Sequence, residues 1–156
     1  MKTEPNVFSW DDLQAMPHQT TPWEGVRNYQ ARNFMRDDMK LGDRVFFYHS
    51  NVKPQAIMGI ARIAREAYPD SFAFDPASPY YDSKSSPDAP RWLMVDVQFE
   101  SAFDPPIALD ELKLRSLELK DMMLLQKGCR LSVQPVTPEQ WQVICNLRPQ
   151  PSVKSI

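Results

Sequence analysis

Between residues 28 and 39, apolar side chains recur at the spacing of one helical face. These are Ala31, Phe34, Met35 and Met39. Basic side chains repeat every four residues beside that face: Arg32, Arg36 and Lys40. The pattern predicts an amphipathic helix with a basic edge.

Capping signals predict short helices near both ends of the chain. Ser9 with Asp12 has the pattern of a capping box, and Pro17 ends the helix that follows. Thr137 with Gln140 is a second such box, which predicts a terminal helix. The inward side of that helix is expected to carry Trp141, Ile144 and Cys145. Two further short helices are predicted, one capped by Asp110 and one over residues 121–125 that ends at Gly128.

Four segments have the residue patterns of β-strands. Residues 44–50 are rich in aromatic and β-branched side chains, and residues 57–64 are apolar on both faces, which indicates a buried central strand. Gly59 within it predicts a close backbone approach or a bulge. Residues 91–99 alternate between apolar side chains and a second side that includes Trp92 and is expected to face either solvent or a pocket. A last strand is predicted over residues 130–133.

Composition favours one small domain with a mixed core. The chain has 156 residues, of which 42% are hydrophobic and 11% aromatic, which suits a single core containing strands. One domain is expected over residues 1–148, followed by a frayed Pro-rich tail over 149–156. Residues 20–25 and 68–90 are predicted to be loops, the second packed over the sheet.

Charge and cysteine content narrow the functional classes. A net charge of −2 and a pI of about 5.7 argue against a protein that grips long DNA duplexes, so any nucleic-acid contact is expected to be local. Two cysteines and no signal-peptide pattern predict a reduced, cytoplasmic protein. No apolar run is long enough to cross a bilayer. The histidines and cysteines lack ligand spacing, so neither a metal nor a cofactor is expected.

Six segments spread along nearly the whole chain resemble the EVE family, which is related to the PUA, ASCH and YTH domains. The segment Trp-Glu-Gly-Val-Arg-Asn-Tyr-Gln-Ala-Arg (residues 23–32) is the most specific. The others are Lys-Thr-Glu-Pro (2–5), Gly-Asp (42–43), Phe-Tyr-His-Ser (47–50), Tyr-Pro-Asp (68–70) and Arg-Leu-Ser-Val-Gln-Pro (130–135). The family's first strand usually carries a Tyr-Trp-Leu segment before the first motif, whereas Met1 stands directly before Lys2. A shortened first strand is therefore expected.

The resemblance implies an α+β fold: a small, mixed, PUA-like β-barrel flanked by short helices, with a pocket at one end. It also implies a non-catalytic module that holds a modified, for example methylated, or flipped base of DNA or RNA. A base outside its stack needs aromatic faces and polar groups for its edge. The candidate aromatic faces are Trp23, Tyr29, Tyr48 and Trp92. The candidate polar groups are Arg27, Asn28, His49, Ser50, Lys2, Thr3 and Ser132. The basic edge of Arg32, Arg36 and Lys40 is the candidate phosphate contact.

Each candidate also has a structural alternative. The tryptophans and Tyr48 suit a core, Asn28 suits a helix cap, and nearby aspartates suit ion pairs with the basic edge. His49 and Ser50 are neighbours on a strand and point to opposite faces, so they cannot form a catalytic dyad. The alternative functions are an enzyme or small-ligand-binding protein acting on a nucleobase-like compound, and a protein-interaction module.

Overall fold

The computed structural model describes residues 1–149, which form five strands and four α-helices. The strands are β1 (Lys2–Thr3), β2 (Thr20–Pro22), β3 (Arg44–His49), β4 (Ala56–Pro69) and β5 (Leu93–Ala108). The helices are α1 (Trp10–Ala15), α2 (Tyr29–Asp37), α3 (Leu109–Lys113) and α4 (Pro138–Cys145). Short 3₁₀ turns lie at Pro17–Gln19, Ser71–Phe74 and Met123–Leu125. None of the helices within this range is long and apolar enough to cross a membrane.

The helix caps confirm most of the local predictions. Reciprocal side-chain-to-backbone bonds of a capping box begin both α1 and α4, and the Asn28 side chain accepts a hydrogen bond from the Ala31 N–H, 3.0 Å away, at the start of α2. Asp110 was wrong as a cap, because α3 begins earlier and Ala108 occupies that position without a side-chain bond. The helix predicted over residues 121–125 is only the last 3₁₀ turn.

The strands form one sheet in the order β1-β3-β4-β5-β2. β1 is short and pairs parallel with β3, whereas the other neighbours are antiparallel. β4 and β5 are 14 and 16 residues long, longer than predicted, because repeated shifts of register let their pairing continue past irregular positions. β1 and β2 lie at opposite edges and do not pair within residues 1–149. The fold is therefore α+β with an open sheet, and closure into a barrel is not confirmed.

Hydrophobic clusters cover both sides of this sheet. Phe47 packs with Trp10 and Trp23 in one cluster, while its neighbour Phe46 packs with Tyr48 in the other, as the alternation of strand side chains requires. A Cβ on Gly59 would lie 2.4 Å from the Ser101 carbonyl oxygen and 2.4 Å from the Trp10 ring. The predicted close approach at this glycine is confirmed, because any side chain there would displace a strand or the tryptophan.

The strand predicted over residues 130–133 is wrong. This segment has no regular secondary structure, and its link to the sheet is a bond from the Lys2 N–H to the Ser132 carbonyl oxygen, 2.8 Å long. Val133 is buried in the cluster around Trp10. The apolar alternation of this segment thus reflects core packing rather than strand pairing. Of the predicted tail, residues 150–156 lie outside the described part of the chain.

Candidate functional site

A cavity of about 280 Å³ is lined by residues of both edge strands, β1 and β2, and by the segments that follow them. Its walls are formed by Lys2, Thr3, Glu4, Val7, Phe8, residues 21–26, Tyr80 and Ser132. Four of the residues predicted from the sequence meet here, from three distant parts of the chain: Lys2, Thr3, Trp23 and Ser132. The cavity combines aromatic faces with charged and hydroxyl groups, which suits a flat, polar-edged ligand.

Trp23 forms a rigid wall of this cavity. Trp23 is 8% exposed, and its ring contacts the Phe47 ring edge to face, with the ring centroids 5.5 Å apart. Its backbone N–H donates to the Val95 carbonyl oxygen over 2.7 Å, which anchors the segment to β5 just beyond β2. Trp23 is therefore both a core residue and a cavity residue, and the two sequence-based alternatives do not exclude each other.

Tyr80 forms a second aromatic wall by packing directly on the backbone of the 23–26 segment. Gly25 has a φ of +86°, and a Cβ there would lie 2.6 Å from the Tyr80 ring. Any other residue would meet both the steric cost of this backbone conformation and a collision with the ring. Glycine at this position thus allows the tyrosine, 55 residues later, to close the cavity.

A buried ion pair joins the two segments that carry these walls. Asp70 is fully buried, and its Oδ2 accepts hydrogen bonds from the Gly25 N–H and from Arg27 Nη1, both over 2.9 Å. Arg27 also donates through Nε and Nη2 to the Tyr80 carbonyl oxygen, at 3.1 and 2.7 Å. Arg27, predicted to touch the base, does not line the cavity. Its donors are occupied by Asp70 and by the backbone carbonyls of Val26 and Tyr80, so in this structure it positions Tyr80.

Two opposite charges line the cavity without pairing with each other. Burial is the main reason that the pKa of Glu24 is raised; the charge of Asp70 adds to the shift, while the Glu24 backbone N–H opposes it. Burial likewise lowers the pKa of Lys2, whose Nζ lies 3.5 Å from the Cys129 carbonyl oxygen. Partial desolvation makes each of these groups a stronger partner for a bound polar ligand.

Tyr29 and Trp92 do not reach the cavity, because they stack on each other. Their ring centroids are 4.8 Å apart with planes inclined by 22°, and the Trp92 Nε1 donates to Asp82 over 2.7 Å. The Arg32 guanidinium lies 4.7 Å from the centre of the Tyr29 ring, and that of Arg27 lies 5.5 Å from the Trp92 ring. The stack therefore packs the first residue of α2 against Trp92, and neither ring is part of the cavity lining.

Three other predicted residues have structural contacts rather than cavity contacts. The Tyr48 hydroxyl donates to Gln55 over 3.0 Å, and burial raises the pKa of Tyr48 to about 12. His49 Nε2 accepts a hydrogen bond from the Trp10 N–H over 3.0 Å, and burial lowers its pKa. The Ser50 N–H donates to the Thr3 carbonyl oxygen over 2.9 Å. None of these three residues lines the cavity, and neither does Asn28, the cap of α2. Their contact with a base stays a prediction.

The basic edge of α2 is only partly available to phosphates. Arg36 forms an ion pair with Asp37 over 2.7 Å, with both side chains about half exposed, as the structural alternative predicted. Arg32 donates to Asn33 and to the Arg91 carbonyl oxygen. Lys40 is exposed and its side chain has no ion-pair partner within residues 1–149.

Sequence reasoning missed Glu24 and Tyr80. Glu24 lies inside the most specific motif, between Trp23 and Gly25. Its position next to a candidate tryptophan could have identified it as a site residue. Tyr80 lies in a long loop and carries no local signal. Among residues 1–149, no group of three or more histidine, cysteine or acidic side chains is arranged to hold a metal ion.

The open sheet, the helices around it and the cavity between the two edge strands define a small α+β domain. The family model described as "EVE domain" matches residues 1–147, and the chain belongs to that family, which confirms the resemblance. Thymocyte nuclear protein 1 of Gallus gallus is 51% identical over 147 residues, covering 90% of this chain and 60% of its own length. The chain thus spans less than two thirds of this relative.

Two crystal structures are similar over nearly the whole chain. A protein from Pseudomonas putida has a TM-score of 0.90 and 49% identity, covering 96% of this chain and 97% of its own. Human THYN1 protein, in complex with DNA containing 5-methylcytosine, has a TM-score of 0.90 and 46% identity, covering 97% of this chain and 96% of its own.

The predicted cytoplasmic location is wrong by this comparison, since the relatives carry the name thymocyte nuclear protein 1. The prediction rested on reduced cysteines, and the nucleus keeps thiols as reduced as the cytosol does. Cysteine usage therefore cannot separate the two compartments.

Proposed function

We propose that this protein binds DNA carrying a methylated cytosine and holds that base, flipped out of its stack, in the cavity between Trp23 and Tyr80. The observation that carries the proposal is the cavity itself, with aromatic walls, a polar rim and a volume of about 280 Å³. The complex of human THYN1 protein with DNA containing 5-methylcytosine supports it, because 97% of this chain aligns with that structure. The function is binding, without a chemical step.

The size and stiffness of the cavity support a single base. Sites for drug-sized ligands span about 300–1,000 Å³, so this one lies at the lower limit and suits one planar ring. Stacking contributes about 1–3 kcal/mol per base, and extrusion from a duplex costs a few kcal/mol. The free energy gained by stacking a base between these walls therefore roughly offsets the cost of extruding it from the duplex. Net affinity must come from contacts outside the cavity.

Those outer contacts are proposed for the basic side chains of α2 and the residues that follow it. The exposed Lys40 is the leading phosphate partner. Arg32 must first release Asn33 and the Arg91 carbonyl oxygen, and Arg36 must first leave Asp37. Each phosphate neutralised contributes about −0.9 to the slope of log affinity against log salt concentration. Two or three contacts therefore predict a slope of about −2 to −3, far from that of an extended duplex-binding surface.

Fluorescence polarisation with matched duplexes tests the proposal. The duplexes are identical except for one central cytosine, which is unmodified, 5-methylated or 5-hydroxymethylated, and titrations are run at two salt concentrations. The informative variant is Tyr80→Ala, since its backbone carbonyl remains available to Arg27. The matched control is Tyr81→Ala, which removes a neighbouring tyrosine that is 45% exposed and does not line the cavity.

Tighter binding of a modified duplex, lost in Tyr80→Ala and retained in Tyr81→Ala, supports the proposal. Equal binding of all the duplexes by the wild type would refute it. Trp23→Ala is less informative, because truncating a buried tryptophan costs about 3–5 kcal/mol of stability.

A further inference from the structure

The Glu24 carboxylate is unexpected in a cavity that is proposed to accept a base of DNA. A carboxylate repels the phosphates that accompany any base into the site, so its presence needs a compensating partner. The other acid on the wall, Glu4, is exposed and lies 3.4 Å from the Asn51 side-chain amide. Glu24 is partly buried and makes no ion pair and no hydrogen bond to another side chain within residues 1–149.

The backbone around Glu24 is held in place on both sides. The Trp23 N–H is bonded to β5 and the Gly25 N–H to the buried Asp70 carboxylate. These bonds fix the backbone from which the Glu24 side chain extends, and the carboxylate contacts its own backbone N–H. Lys2, the cation on the same cavity wall, does not pair with it within residues 1–149. The cavity thus presents an acceptor and a separate donor to whatever occupies it.

We propose that Glu24 and Lys2 read the polar edge of the bound pyrimidine, so that the site takes a 4-amino base such as 5-methylcytosine and rejects a 4-oxo base such as thymine. This inference rests on the proposed function. The Glu24 carboxylate accepts a hydrogen bond from the 4-amino group, as acidic side chains do when they recognise cytosine. Lys2 donates to the ring acceptors N3 or O2.

Thymine is the discriminating ligand because it carries the same 5-methyl group. It differs from 5-methylcytosine at the 4-position, where an oxygen replaces the amino group, and at N3, where a donor replaces an acceptor. A carboxylate placed for the amino group would face that oxygen, leaving two acceptors without a donor between them. A comparison of thymine with 5-methylcytosine therefore separates recognition of the polar base edge from recognition of the 5-methyl group.

The test is a competition binding assay on the full chain. Each oligonucleotide duplex carries 5-methylcytosine, cytosine or thymine opposite an abasic site, so that no base pair has to be broken. The wild type is compared with Glu24→Gln, whose amide can accept from an amino group or donate to an oxygen. Glu139→Gln is the matched control, since it neutralises an exposed acid on α4 that does not line the cavity. Circular dichroism and thermal unfolding establish that each variant folds.

We expect the wild type to prefer 5-methylcytosine to thymine by about 5- to 150-fold, the discrimination of one good base-edge contact. Glu24→Gln loses most of that preference but retains its preference for 5-methylcytosine over cytosine, and Glu139→Gln behaves as the wild type. Equal binding of thymine and 5-methylcytosine by the wild type, with cytosine weaker, overturns the recognition of the base edge by Glu24 and Lys2. It leaves the proposed function standing. Equal binding of all three overturns both. If Glu24→Gln does not fold, the wild-type comparison alone decides.

Discussion

The substitution Asp70→Asn tests whether the buried ion pair holds the cavity together. Asp70 Oδ2 accepts from Gly25 and Arg27, while Oδ1 accepts from the Phe72 N–H over 3.0 Å. Asparagine has the same shape but only one acceptor oxygen. Its amide will turn so that the oxygen keeps the two Oδ2 bonds, and the NH₂ group will then face the Phe72 N–H without an acceptor.

The expected cost follows from that arrangement. One hydrogen bond to a charged acceptor, worth about 1.5–3 kcal/mol, is lost, and the Arg27 charge loses its counter-ion. Breaking a fully buried pair costs about 3–5 kcal/mol, but the Arg27 side chain is 23% exposed, so water will compensate part of this second loss. We expect a total of about 2–4 kcal/mol. For a chain of this size, that lowers the melting temperature by about 4–16 °C.

Urea unfolding followed by tryptophan fluorescence measures this cost, with the midpoint falling and the m-value unchanged. Asp75→Asn is the control, because Asp75 is exposed and its bond to the Ala77 N–H survives in asparagine. We also expect Asp70→Asn to weaken binding of the 5-methylcytosine duplex under conditions where it is folded, since Tyr80 loses its support. A stability loss below about 0.5 kcal/mol, equal to that of the control, would refute the structural role of the pair.

Three further predictions concern separate parts of the chain. Gly25→Ala should weaken duplex binding and lower stability by about 1–2 kcal/mol in urea unfolding, because of the positive φ and the collision with Tyr80. Asn28→Ala should cost about 1 kcal/mol in the same assay through loss of the α2 cap, and leave base selectivity unchanged in polarisation titrations. Hydrogen bonding to Arg148 lowers the pKa of Glu111 below its usual value of 4.5; its stabilisation is therefore present above pH 4.5 and lost as the pH falls through the lower folded-state pKa. Acid unfolding curves should show Glu111→Gln losing less stability over that window than the wild type.

Local signals in the sequence predicted the helices well, because a cap acts within four residues. Ser9, Asn28 and Thr137 each begin a helix as expected. Asp110 failed because α3 begins at the end of β5, and the strand, rather than a side chain, sets its first residue. The length of β5 was also beyond local reasoning, since Pro105 and Pro106 argue against a strand and only its irregular pairing with β4 tolerates them.

The cavity was predicted in part, and the missing part has a physical cause. Trp23, as a large aromatic in a specific motif, could be assigned to the site from sequence alone. Tyr80 could not, because its position depends on Arg27 and Asp70, a pair separated by 43 residues that forms only in the folded chain. Nor does a sequence show that Tyr29 and Trp92 occupy each other's faces. Aromatic content indicates what a site can be built from, but tertiary contacts decide which rings are left for a ligand.

The division between cavity and outer surface also separates affinity from selectivity. Burying one methyl group contributes about 0.8 kcal/mol, roughly a four-fold preference. Neither that burial nor a contact between partly buried groups inside the cavity is strongly screened by salt. The phosphate contacts proposed for Arg32 and Lys40 are salt-sensitive but do not sense the base. Raising the salt concentration should therefore weaken binding of methylated and unmodified duplexes in parallel and leave their ratio unchanged. A ratio that falls with salt in the polarisation titrations would show instead that the base is read by exposed charges, and would contradict recognition inside the cavity.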